Sequence, residues 1–237
     1  MNVSRRTAIA GFAVLTVGAI GVAVAVTNSA APVRLHGSEM LPAESAQDWV
    51  TYGDHLVVFR VEAESRGPFV PDEEGSGRGT VERLLDTKTL DIAWSRPGAH
   101  EFDSNLELSW GGWFIDGNNE REFLYDPAVR LLVGGTYVGM MTYIEIPDEE
   151  PFWAFLSTSA LVPAEGGQVG NGNDELITNG RPLEPGNSGF EVLDQTWGGT
   201  IIELAALLES TDPDPAAEPY MDLPAVERFQ RTAASTS

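Results

Sequence analysis

Cysteine is absent from the 237 residues. Its absence removes disulfides, thiol nucleophiles, thiolate metal sites and a lipid-bearing cysteine behind an export signal. Basic residues are scarce. Fourteen Lys and Arg face 36 Asp and Glu, giving a formal charge of −22, and Lys88 is the single lysine. A phosphate backbone is bound through clustered cations, so nucleic acid is excluded as a partner, and anionic lipid headgroups are repelled for the same reason. The acidic surface favours solubility and by itself names no ligand. Three histidines, His36, His55 and His100, lack the close spacing of a zinc site. Oxygen-rich stretches stand at 116–120 (DGNNE) and 171–175 (NGNDE), but neither follows the twelve-residue calcium loop, and hairpin turns use the same residues. The sequence therefore assigns no metal and no cofactor.

Against these absences stands one long apolar run. Arg5 and Arg6 precede 19 residues, Ala8 to Val26, with no charge before Arg34. A bilayer core of about 30 Å needs roughly 20 helical residues, and arginines on one side favour a cytoplasmic N-terminus. A cleaved export signal has a shorter apolar core of roughly 7–15 residues and small residues before the cut. Asn28 fits poorly three positions before a cut after Ala30, and a cut after Ala31 would set Pro32 next to the broken bond, although a cut after Ser29 stays open. Length therefore favours a retained single-pass anchor with the rest of the chain outside; secretion is the alternative. Residues 4–9, Ser-Arg-Arg-Thr-Ala-Ile, resemble the twin-arginine export signal, with Ala8 where that motif carries Phe.

Composition divides the chain into residues 1–27 as signal-anchor or transmembrane segment, 28–42 as a tether, 43–210 as a β-rich extracytoplasmic domain and 211–237 as a flexible acidic tail. From His55 the pattern has period two, with Val57, Phe59, Val61 and Ala63 on one side and Val58, Arg60, Glu62 and Glu64 on the other. Residues 67–79, rich in Gly, Pro and charge, read as a loop before alternation resumes at Thr80 to Leu85. Further strands are expected at Leu90 to Trp94, Leu106 to Trp110, Trp113 to Ile115, Thr136 to Ile146 and Phe152 to Val162, with Asp116-Gly117 as a turn. A short helix is expected over Ala43 to Val50. Thr200-Ile201-Ile202-Glu203 fits a capping box, in which hydroxyl and carboxylate satisfy backbone donors reciprocally. It starts an amphipathic helix to about Leu208, and another helix is expected at Ala225 to Arg231. The fold class is mainly β: an antiparallel barrel or sandwich, OB-like in one version, with a short amphipathic helix near the C-terminus and a single N-terminal transmembrane or signal helix.

This order of segments, HLVVFRVEAES, then VGGTYVGMM, FWAFLSTSALVPAEGGQV and GGTIIELAALLES, resembles a group of uncharacterised exported or membrane-anchored proteins of high-GC Gram-positive bacteria. The resemblance spans roughly residues 45–210 and implies a small β-barrel outside the membrane. It implies no activity.

One enzyme reading competes. PGNSGF at 185–190 is similar to the Gly-Asp-Ser-Gly nucleophile loop of trypsin-like proteases, and His55 and Asp91 precede Ser188 in the order that family requires. The context differs at three points: His55 lacks an Ala-x-His setting, Asn187 stands for Asp, and Phe190 replaces a glycine. Gly-Asn-Ser-Gly is also ordinary turn chemistry. Trp94, Trp110, Trp113 and Trp153 could stack on a sugar or peptide, but their strand-like placement favours core packing. The sequence thus favours a membrane-tethered binding or interaction module of the cell envelope, with a protein or glycan partner, over a secreted serine hydrolase using His55, Asp91 and Ser188.

Overall fold

A computed structural model describes residues 7–8, 32–36, 39–102, 106–126, 128–172, 177–178, 181–182 and 190–235. In chain order its strands are β1 (Thr7–Ala8), β2 (Val33–His36), β3 (His55–Pro71), β4 (Arg78–Ser95), β5 (Glu107–Asp116), β6 (Asn119–Asp126), β7 (Thr136–Ile144), β8 (Phe152–Phe155), β9 (Leu161–Pro163), β10 (Ile177–Thr178) and β11 (Arg181–Pro182). The helices are α1 (Ala46–Tyr52), α2 (Glu191–Thr196), α3 (Ile201–Glu209) and α4 (Ala225–Ser235).

The protein is mainly β. One sheet in the order β2-β6-β5-β4-β3-β7-β8 carries β1 alongside β5 and β9 alongside β7, and it curls into a half-barrel. Neighbours are antiparallel except β2 on β6 and β1 on β5. No pairing joins β2 to β8 among the described residues, so the barrel is open. The apolar run at 8–26 lies outside the described residues apart from Ala8; among the described residues no helix is long and apolar enough to cross a membrane.

The longest element is the β3–β4 hairpin, of 17 and 18 residues. Residues 67–79, expected as a loop, are mostly strand, and only 72–77 turn. Two expected strands likewise merge into β4. Register shifts between Val61/Ala63 and Arg66/Phe69 absorb the irregular residues, because a bulge adds a residue to one strand without ending the ladder. The same reason unites two more expected strands as β5. Gly111 (φ 73) and Gly112 sit inside it, where a Cβ would lie 2.6 Å from the Phe123 carbonyl oxygen or 2.2 Å from that of Val81. Only glycine permits that approach. Conversely, the expected strand at Phe152 to Val162 divides into β8 and β9, because the Ser157 hydroxyl accepts from the Ser159 and Ala160 amides and turns the chain.

Burial follows what covers each strand. β3 is buried from His55 to Phe59 and at Val61, then exposed from Glu62 to Arg66, since β7 pairs only with residues 55–60. Inside the curl lie Leu56, Leu85, Leu108, Tyr137 and Met140, all under 2% exposed.

Helices close one end of this core. α1 begins where Ser45 and Asp48 form a capping box, and its Trp49 is buried with the indole N–H donating to the Ala43 carbonyl at 2.9 Å. α3 begins at the Thr200–Glu203 capping box, as the sequence indicates. Its Leu204 and Leu208 are fully buried, contributing roughly 2 kcal/mol each. The segment after Ser210, expected as a flexible tail, is packed instead: Ala217, Ala225, Arg228 and Thr232 are all buried. The reason is polar as well as apolar, because Arg228 donates to the backbone carbonyls of Thr51, Met221 and Leu223.

Candidate functional site

His55 opens β3 and is 6% exposed. Its Nε2 lies 2.7 Å from the His100 carbonyl oxygen and its Nδ1 2.8 Å from Ser95 Oγ. A carbonyl only accepts, so Nε2 carries the proton, and in the neutral ring Nδ1 accepts from the serine hydroxyl. Phe102 and Trp153 pack on the imidazole with centroids at 5.6 and 5.3 Å. Asp91 is on the exposed part of β4, where its Oδ1 accepts from the Ile92 amide at 2.9 Å. Ladder register sets His55 opposite Ser95 and Asp91 opposite Val58, about 10 Å further along the strand. The fold therefore does not bring His55 and Asp91 together. Ser188 lies outside the described residues.

Of the candidate aromatic residues, Trp94, Trp110 and Trp153 are buried at 8%, 2% and 7% exposure. Trp110 donates its indole N–H to the Val129 carbonyl at 2.7 Å. Trp113 is half-buried, with the Arg66 guanidinium 4.4 Å above its ring. That same guanidinium forks onto both Glu120 carboxylate oxygens at 3.2 and 2.7 Å. No group of three or more metal-ligating side chains occurs among the described residues.

A polar lock ties α4 to the sheet. Asp54 Oδ1 accepts from Arg96 Nη2 at 2.6 Å, and Asp54 Oδ2 accepts from the Tyr143 amide at 2.7 Å. Arg96 reaches the Met221 carbonyl at 3.2 Å, which Arg228 shares. Burial, with the nearby Arg96 charge, pushes the Arg228 guanidinium down to about 10, against a partial offset from Asp54. Every partner in this cluster is internal, so it reads as structure.

The remaining feature is a surface cleft of about 290 Å³ between the turn leading into β7 and the turn after β9. Its walls include Leu132, Val133, Gly135, Tyr137, Pro163 and Glu165. Val133 is 55% exposed at the rim. Tyr137 is buried, with its hydroxyl accepting from the Leu132 amide at 2.7 Å. Glu165 Oε1 accepts from the Thr136 amide at 2.7 Å, which fixes the carboxylate, and Glu165 forms no ion pair with any described residue. The arrangement is one oriented anion beside apolar walls, able to hold a cation. Nothing in the sequence spacing marks Glu165; the signal nearest to it is Gly166-Gly167, whose positive φ values of 64° and 79° make the turn.

No family model, curated protein or solved structure matches the chain.

Proposed function

We propose that the chain is an extracytoplasmic binding domain, held to a membrane by residues 8–26, whose cleft at Glu165 receives a cationic group of an envelope ligand. The observation that carries this reading is the Glu165 carboxylate, oriented by the Thr136 amide and without an ion-pair partner among the described residues, at the mouth of a partly apolar cleft. An oriented carboxylate loses little freedom on binding, and a chain of net charge −22 draws cations toward it. Leu132, Val133 and Pro163 would flank the alkyl stem of a guanidinium or ammonium side chain.

The tether part of the reading requires the β1 pairing with Glu107 and Leu108 to be given up, since a span over 8–26 keeps Thr7 on the far side of the bilayer. Protease added outside intact cells should then digest the domain, while protection would refute the outward orientation.

The cleft is tested on the full chain by following amide shifts as N-acetyl-arginine amide is added, with the neutral citrulline analogue as control. Saturable shifts at Gly134, Gly135 and Gly172 are expected for arginine alone. They should vanish in Glu165→Gln, whose side-chain oxygen still accepts from Thr136. Equal shifts in that variant, or none in the native chain, would refute the reading. Labelling by a fluorophosphonate that is lost in Ser188→Ala would replace it with the hydrolase.

A further inference from the structure

With the β1 pairing given up, as the tether requires, the register of β2 sets the end at which the chain enters the domain, and that constrains how a tethered domain stands on its membrane. β2 runs parallel to β6 with Val33 beside Phe123, and β6 leaves the Gly117-Asn118 turn at Asn119. Val33 is therefore about 14 Å from the hairpin tip, at ~3.4 Å per residue. The β5–β6 and β3–β4 tips end together: the Gly117 amide donates to the Gly77 carbonyl at 3.2 Å. At the level of Val33, Phe123 pairs with Gly112 and Gly112 with Glu82. From Glu82, β4 runs on to Ser95 at the opposite end, roughly 40 Å away. That end also holds His55, opposite Ser95, and α1, which precedes it.

Only residues 27–32 separate Val26 from Val33. Fully extended, that connection reaches at most about 25 Å. We propose that the domain stands with its two hairpin tips, 72–77 and Gly117-Asn118, at the bilayer surface and its α1 end pointing away. The proposal rests on the reading of 8–26 as a retained span. The inverted orientation would hold Val33 roughly 40 Å above the surface, beyond the reach of its connection.

The tip chemistry says what kind of lipid surface this is. Phe69 and Val70, 44% and 52% exposed, offer apolar area just behind the tip. Asp72, Glu73 and Glu74 occupy the tip itself and are repelled by anionic headgroups. The surface therefore fits a zwitterionic headgroup layer, and the short connection holds it there.

The native chain has no cysteine, so single-site labelling is clean. Glu74→Cys at the tip and Glu101→Cys in the loop beyond β4, both exposed positions, would each carry an environment-sensitive fluorophore. The full chain would be reconstituted in phosphatidylcholine vesicles containing a headgroup nitroxide. Quenching at position 74 should exceed that at 101 several-fold. Inserting about 15 Gly/Ser residues after Ala31 should bring the two together, because the longer connection permits either orientation. Equal or reversed quenching in a chain that floats with the vesicles overturns the orientation while leaving the span intact. A chain that fails to float overturns the span reading, and the orientation with it.

Discussion

Asp54 and Arg96 form an ion pair of 2.6 Å whose side chains are only 4% and 9% exposed. The pair sits where β3 begins and β4 ends, and it is bound into the backbone: the Arg96 amide donates to the Asp54 carbonyl at 2.8 Å. Removing one partner strands the other charge out of water. Asp54→Ala should therefore destabilise the domain by about 3 kcal/mol or more, read as a lower urea midpoint at unchanged slope. A shift no larger than that of an exposed control such as Glu62→Ala would show that the pair contributes little.

Arg228 and Thr51 are 177 residues apart in sequence yet share a hydrogen bond. A chain ended after Ser210 would lose that donor together with all of α4, and would uncover Thr51 and Tyr52. Arg228→Met keeps the length of the side chain but takes the guanidinium donor from the Thr51 and Leu223 carbonyls, while Met221 keeps its bond from Arg96, at about 2–3 kcal/mol. Both variants should melt below the native chain, with amides of α1, and in Arg228→Met also those of α4, losing hydrogen-exchange protection first. Unchanged protection in α1 would return the segment to the status of a free tail.

Glu203 is held below the usual glutamate range by the Thr200 backbone amide, 2.7 Å from Oε2, and by the Thr200 hydroxyl. The folded form therefore favours the carboxylate. Its contribution is complete above the ordinary value of 4.5 and fades as pH falls through the lowered one. Native chain and Glu203→Gln should differ in melting temperature at neutral pH and converge in acid. A difference that grows toward acid would contradict the sign.

Gly111 and Gly112 allow the bulge in β5. Gly111→Ala would hold alanine at positive φ with its Cβ 2.6 Å from the Phe123 carbonyl oxygen, at a cost of about 2 kcal/mol or more. Equilibrium unfolding checks this; a neutral effect would mean that β5 and β6 can separate locally.

Much of the β architecture can be read from the sequence, because Val57, Phe59 and Val61 repeat at the period of a half-buried strand. The Thr200 capping box is equally local and equally legible. Strand ends were less so: bulges at Arg66/Phe69 and at Gly111-Gly112 look like loops or turns when only composition is considered. The packing of α4 is hidden for another reason, since Arg228 takes one of its partners from Thr51, 177 residues earlier in the chain. Glu165 has no motif because its orientation comes from one backbone amide, that of Thr136, which no side-chain pattern reports.

The β3–β4 hairpin has a kinetic consequence. Its strands are joined by only six residues, 72–77, so pairing can start at that turn and zip along both strands with little loss of loop entropy. β3 must then wait for β7, whose Thr136 pairs with Arg60 across a loop of some 75 residues. Contacts of such different range predict a hairpin that forms early and a β3–β7 seam that forms late. Substitutions at Gly75 or Gly77 would then slow folding, while those at Gly139 would chiefly speed unfolding.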